Sequence, residues 1–110
     1  MTDMQYSLMV FGQPASADHT CHALEFARAV VRRGHQLSRV FFYGDGVLNA
    51  REDHHEAWQK LAASHPCELV LCSASAERHD LEHPPEPFLL MGLGALMEAG
   101  VDSDRVIGFG

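Results

Sequence analysis

Glu68-Leu69-Val70-Leu71-Cys72-Ser73-Ala74-Ser75-Ala76 is the stretch that decides the fold. Its apolar run, Leu69-Val70-Leu71, shows no alternation with polar residues, the pattern of a strand buried on both faces. The run stops at Cys72, and the small residues after it open a helix. Such a junction lies at the carboxyl edge of an open α/β sheet, where ligands and chemistry collect. A helix amino terminus also favours a thiolate, because its free N–H groups and dipole attract negative charge. Cys72 therefore reads as a reactive sulfur. The competing reading is a small buried hydrophobe, since a free Cys is often fully buried.

Outward from this stretch the same strand–helix rhythm repeats. Further strands are predicted over Tyr6–Phe11, Ser38–Tyr43 and Arg105–Phe109. A helix is predicted over His19–Arg33, with apolar residues at Cys21, Leu24, Ala27, Val30 and Val31. Arg32 and Arg33 suit its negative end, and Gly34 stops it. A second helix spans Glu52–Ser64, with Ala57, Trp58, Leu61 and Ala62 inward and His65-Pro66 as its stop. The loop His83-Pro84-Pro85-Glu86-Pro87 is too rich in proline for regular structure, and Phe88–Ala99 reads as a third main helix before Gly100. Continuously apolar strands alternating with helices predict a parallel sheet covered on both faces, joined by right-handed crossovers. The expected fold is a small doubly wound α/β domain in three layers, flavodoxin- or Rossmann-like, occupying residues 1–110 as one unit.

Composition narrows the function classes. A chain of 110 residues buries roughly two thirds of its unfolded surface. Its net charge of −7, a single Lys (Lys60) and scattered Arg argue against a direct grip on nucleic acid, which needs clustered cations. No apolar run approaches the ~18 residues of a membrane span. Met1-Thr2-Asp3-Met4-Gln5 carries an acid where a signal peptide needs a basic region, so a cytoplasmic location is expected.

The 3 cysteines include no CxxC pair, which excludes zinc ribbons and thioredoxin-type dithiols and fits a reducing compartment. Cys21 lies on the inner stripe of the first helix, a core position. Cys67 and Cys72 stand at opposite ends of one strand, roughly 15 Å apart and too far for a disulfide. Asp18-His19-Thr20-Cys21-His22 and His54-His55 reproduce no zinc spacing, and no metal is expected. Gly92-Leu93-Gly94 follows a proline-rich loop rather than a strand, which suits close helix packing better than a dinucleotide.

The loop Tyr43-Gly44-Asp45-Gly46-Val47-Leu48-Asn49-Ala50 leaves another carboxyl strand end, and it borders the crevice of Cys72 if the two strands are neighbours. Gly44 and Gly46 permit close backbone approach. Asp45 and Asn49 either hold the turn through backbone hydrogen bonds or orient a bound group. Arg78 and His79 follow Cys72 by six and seven residues. Either lowers the thiol pKa if the chain folds back, the alternative being a solvated helix face.

Phe41-Phe42-Tyr43-Gly44-Asp45-Gly46-Val47-Leu48-Asn49-Ala50, the Cys closing the third strand, and Gly92-Leu93-Gly94-Ala95-Leu96-Met97-Glu98 together resemble the DsrE/TusD group of sulfur-relay proteins. The opening strand, the helix Ala23–Val31 and Asp104-Arg105-Val106-Ile107 are similar as well, so the resemblance runs through nearly the whole chain. It implies a sulfurtransferase without metal or organic cofactor. Cys72 would receive sulfane sulfur as a persulfide and hand it to an acceptor thiol, and backbone N–H groups at Ser73, Ala74 and Ser75 would stabilise the thiolate.

The resemblance also implies partners. These are two related small α/β subunits in a heterohexamer, a sulfur donor, and an acceptor of the TusE/DsrC type. The service would be 2-thiouridine formation on tRNA or cytoplasmic sulfur oxidation. The chain departs from the pattern over Glu77–Pro87, which is shorter and richer in proline and charge and would form the rim over Cys72. Two rival readings keep the fold but not the relay: a non-catalytic assembly or regulatory subunit, and a small-ligand module using the two glycine-containing loops.

Overall fold

The computed structural model describes residues 4–11, 22–51, 55–65, 67–92, 94 and 105–109. In chain order these form β1 (Gln5–Val10), α1 (His22–Arg32), β2 (Gln36–Phe42), a 3-10 helix (Gly44–Ala50), α2 (His55–Ser64), β3 (Glu68–Cys72), α3 (Ser73–Arg78), β4 (Phe88–Met91) and β5 (Arg105–Phe109). The five strands make one sheet in the order β4-β3-β2-β1-β5, and every neighbouring pair is parallel. The expected parallel α/β architecture is thus the observed one, and its β3 has the bounds read from the sequence.

Side-chain alternation sorts the strands into two faces. Leu8 and Val10 of β1, Val40 and Phe42 of β2, and Leu69 and Leu71 of β3 share one cluster with Ala23, Leu24, Ala27 and Val30 of α1, Trp58 and Leu61 of α2, and Ala76 of α3. Phe42 and Trp58 meet edge to face at 5.1 Å, a favoured arrangement of ring quadrupoles. Phe41 and Val70 point the other way, packing with Met9 and Met91. Strands buried on both sides have no polar alternation to show, which is why Leu69-Val70-Leu71 reads as a continuous run.

α1 forms because its apolar residues recur at helical spacing, and it ends where the sequence predicts. The Gly34 N–H donates to the Val31 carbonyl and the His35 N–H to the Val30 carbonyl, both at 3.1 Å, so the last carbonyls are satisfied as the chain turns into β2. Among the described residues no helix is long and apolar enough to cross a membrane.

One expectation is overturned. Phe88–Met91, predicted to begin a third main helix, is the edge strand β4, paired with β3 from Leu69↔Phe88 to Cys72↔Met91. A four-residue apolar run carries no period that separates strand from helix, and here the ladder to β3 decides. Residues 95–99 of that expected helix, like residues 18–21 of the Asp18–His22 run with its Cys21, lie outside the described residues.

Candidate functional site

Cys72 ends β3 in extended conformation (φ −63°, ψ 120°), and Ser73 already belongs to α3. With no loop between strand and helix, Cys72 is the residue at which α3 starts. Met91 of β4 is its strand partner. The residue is only 3% exposed.

β2 and β3 are neighbours, with Phe42 opposite Leu71, so the segment after β2 borders Cys72 as anticipated. It is a 3-10 helix rather than an open loop. Gly44 has φ +57°, a region that side chains disfavour. At Gly46 any Cβ would collide with the Val10 carbonyl oxygen, so glycine is required where this segment crosses the end of β1.

Asn49 is buried and fully committed to structure. Its Nδ2 donates to the Gly46 carbonyl at 2.8 Å, and its Oδ1 accepts from the Trp58 indole N–H at 3.2 Å. These are hydrogen bonds of the turn-holding kind.

Ser75 joins this segment to α3. It is buried, and its Oγ accepts from the Gly44 N–H at 2.9 Å and from Arg78 Nη2 at 3.2 Å. Burial pushes the Cys72 thiol up, since a dry surrounding penalises the anion. The N–H and hydroxyl of Ser75, the N–H of Ala74 and the charge of Arg78 outweigh it, and the thiol is held below its ordinary value. Ser73 is exposed, and the N–H groups that lower the thiol are those of Ala74 and Ser75.

The other predicted residues fall around this core. Asp45 is exposed and pairs with His79, Oδ1 to Nε2 at 3.3 Å, a second link between the 3-10 helix and the end of α3. His79 is therefore not a freely solvated residue. Cys67, half-buried at the opposite end of β3, has its thiol pushed up to about 11 by burial.

Sequence reading missed the Ser75 hydroxyl. The Ser75/Arg78 spacing places both on one helix face, the one signal available beforehand. A groove of about 750 Å³ between α1 and α2, lined by Arg28, Val31, Arg32, Lys60, Leu61 and others, contains none of these residues. Among the described residues, no three His, Cys, Asp or Glu gather as a metal site.

Fold and site together define a small parallel α/β domain with an ionisable cysteine at the carboxyl edge of its sheet. The chain belongs to the DsrE/DsrF-like family, whose model matches residues 4–109. It is 38% identical to the Sulfurtransferase TusD of Salmonella arizonae, an alignment of 128 positions covering 96% of this chain and all of that protein. The Sulfurtransferase TusD of Salmonella paratyphi B is 37% identical with the same coverage. The crystal structure of the ychN protein from E. coli shares the fold at a TM-score of 0.82 and 16% identity, covering 96% of this chain and 99% of that one.

Proposed function

We propose that this chain is a sulfurtransferase that carries sulfane sulfur as a persulfide on Cys72. The observation that carries the reading is the thiol itself: it is buried, yet held below its ordinary pKa by the donors of Ala74, Ser75 and Arg78. In loading, the Cys72 thiolate attacks the terminal sulfur of a donor persulfide. The new Sγ–S bond forms as the donor S–S bond breaks, and the donor leaves as a thiolate. In unloading, an acceptor thiolate takes the terminal sulfur, and the electron pair of the broken bond returns to Sγ. The cycle has no net redox change, so it needs no metal or electron carrier.

Homology to proteins named Sulfurtransferase TusD supports sulfur transfer as the activity. A relay of this kind works between proteins, and the proposed partners are a persulfide donor, a small acceptor of the TusE/DsrC type, and two related α/β subunits in a heterohexamer. The proposed setting is the cytoplasm, in tRNA 2-thiouridine synthesis or sulfur oxidation. Cys72 is 3% exposed, which suits transfer inside an assembly better than reaction with free small molecules.

Intact-protein mass spectrometry after incubation with a sulfane-sulfur donor tests the assignment. Wild type is expected to gain the mass of one sulfur, about 32 Da, reversibly with reductant as thiol exchange requires. Cys72→Ser is expected to gain none. Equal loading of the variant through Cys21 or Cys67 overturns the role of Cys72.

A further inference from the structure

The groove between α1 and α2 is framed by two helical stripes. Glu25, Arg28 and Arg32 of α1 recur at spacings of three and four, as do Ala57, Lys60, Leu61 and Ser64 of α2, so each set lies along one side of its helix. Each stripe advances seven residues, about 10 Å at 1.5 Å per residue. The apolar members are the covered ones, with Leu61 buried and Val31 and Ala57 half-buried, whereas Arg28, Arg32 and Lys60 are exposed. The groove thus has an apolar floor and a charged rim. A second hollow of about 340 Å³ shares Val31 and His65 with it and leads to Gln36 and Leu37 at the start of β2.

The charge of the groove runs against that of the chain. Asp and Glu number 15 and Lys and Arg 8, yet three of those 8 line this one groove, against Glu25 alone. Lys60 also pairs with Glu56 at 3.1 Å, but both side chains are 75% exposed, and such a pair holds a cation only weakly. Arg32 complements the carboxyl end of α1. Arg28 stands a turn earlier, where that dipole effect has faded, and neither arginine forms an ion pair with another described residue. We propose that the α1–α2 groove is a docking site for an acidic segment of a partner protein, its carboxylates meeting Arg28, Arg32 and Lys60 and its apolar side chains lying on Val31, Ala57 and Leu61.

An acidic partner is repelled by the chain at large and attracted here, so charge selects this face. The shape favours a chain segment over a small molecule. Ligand pockets enclose most of their ligand, whereas this groove has an exposed rim and continues into the second hollow. A chain that alternates acidic and apolar residues turns one side to the floor, and its carboxylates are within the reach of long arginine and lysine side chains. The inference goes beyond sulfur carriage and does not depend on it. The groove leads to the amino end of β2, whereas Cys72 ends β3 at the carboxyl edge, so a docked segment leaves the thiol edge uncovered. A partner tethered this way meets the rest of the chain at raised local concentration.

The test is fluorescence anisotropy of a labelled peptide alternating Glu and Leu, titrated with the full chain at low salt. Saturable binding is expected, and Arg28→Gln/Arg32→Gln is expected to weaken it about fivefold, the loss of two exposed ion pairs. Arg51→Gln/Arg105→Gln removes the same charge from exposed positions outside the groove and is expected to leave binding nearly unchanged. Ser in place of Leu in the peptide should weaken binding, because the floor loses its apolar partner. Absence of saturable binding overturns the proposal, as do equal losses in the two double variants or equal binding of a peptide with Lys in place of Glu. Tighter binding of a single-stranded oligonucleotide of equal charge gives the groove to a nucleic acid, and a wild-type dimer that Arg28→Gln/Arg32→Gln splits gives it to a second copy. Either result overturns the assignment to an acidic segment. Thermal melts matching wild type separate lost binding from lost fold. Failure of the carrier reading appears only in sulfane loading, which this titration does not involve.

Discussion

Two cysteines stand at the two ends of β3, and their surroundings push them in opposite directions. Cys67, before the strand, is half-buried and its thiol is pushed up to about 11. Cys72, at the end of the strand, is buried more deeply and yet is held below the ordinary value. Burial raises both thiols, and at Cys72 it is outweighed. What differs is what opposes burial: Cys72 runs into the N–H groups of α3, whereas the Cys67 thiol is raised by burial. One end of the strand offers an anion donors and the other buries it.

The largest expected consequence is all or none. Cys72→Ser abolishes persulfide loading, while Cys67→Ser loads as wild type does, both read by intact mass after a sulfane donor. Equal losses in the two variants would break the contrast between the ends.

The next consequence is a stability window. For Cys67 the folded pKa is raised, from the ordinary thiol value of about 9 to about 11. The folded state then keeps a proton that the unfolded state releases, so its contribution is intact below pH 9 and is lost as the pH rises to 11. Two units correspond to about 2–3 kcal/mol. Urea unfolding at pH 9 and 11 should show wild type losing that much more than Cys67→Ser. Cys72 has the opposite sign: with its folded pKa lowered, its contribution is present above the ordinary thiol value and fades as the pH falls through its own.

The two edges of the sheet also differ in how they are braced. At the carboxyl edge Asn49 ties Gly46 to Trp58 inside the core, and Asn49→Ala would leave the indole N–H and a carbonyl without their partner. The expected cost is about 2 kcal/mol, since a stranded buried group forfeits its full desolvation energy. At the amino edge the link is the ion pair Arg39–Glu68, 2.8 Å long but with side chains 26% and 43% exposed. Glu68→Gln should therefore cost under about 1 kcal/mol. Chemical denaturation of both variants checks the ranking, and equal costs would show that the two edges are held alike.

Much of this was legible beforehand, for identifiable reasons. β3 announced itself because it is buried on both faces and closed by small residues. That Cys72 and the Gly44–Ala50 segment share a crevice was legible only on the condition that their strands are neighbours, which the β2–β3 ladder supplies. β4 was hidden because Phe88-Leu89-Leu90-Met91 is too short to show a period, and only its ladder to β3 makes it a strand. The Ser75 link was hidden for another reason: its partner Gly44 lies 31 residues away, and a backbone amide has no signature in the sequence. Asn49 could be placed on the crevice loop but not resolved between brace and ligand contact, since Trp58 settles that only in the folded core.

The smallest expected effect concerns how α1 and α3 end. In α1 the chain turns at Gly34, whose positive φ costs glycine nothing. In α3 the same pair of bonds forms, Leu81 N–H to the Ala76 carbonyl at 2.7 Å and Asp80 N–H to the Glu77 carbonyl at 3.3 Å, but the residue at the turn is Asp80 with φ +58°. Left-handed backbone costs an ordinary side chain roughly 1–2 kcal/mol, and Asp somewhat less because it bonds locally. Glycine removes that strain but loses more entropy on folding, so Asp80→Gly should gain no more than about 1 kcal/mol, a rise of a few degrees in Tm. Asp80→Ala should move the other way, because alanine keeps the Cβ and lacks the side chain that compensates. The order Gly above Asp above Ala in thermal melts would show that the six-residue helix holding Arg78 against Ser75 is closed by backbone geometry. Alanine matching glycine would mean that the turn at Asp80 is not strained, and that α1 and α3 differ in nothing but sequence.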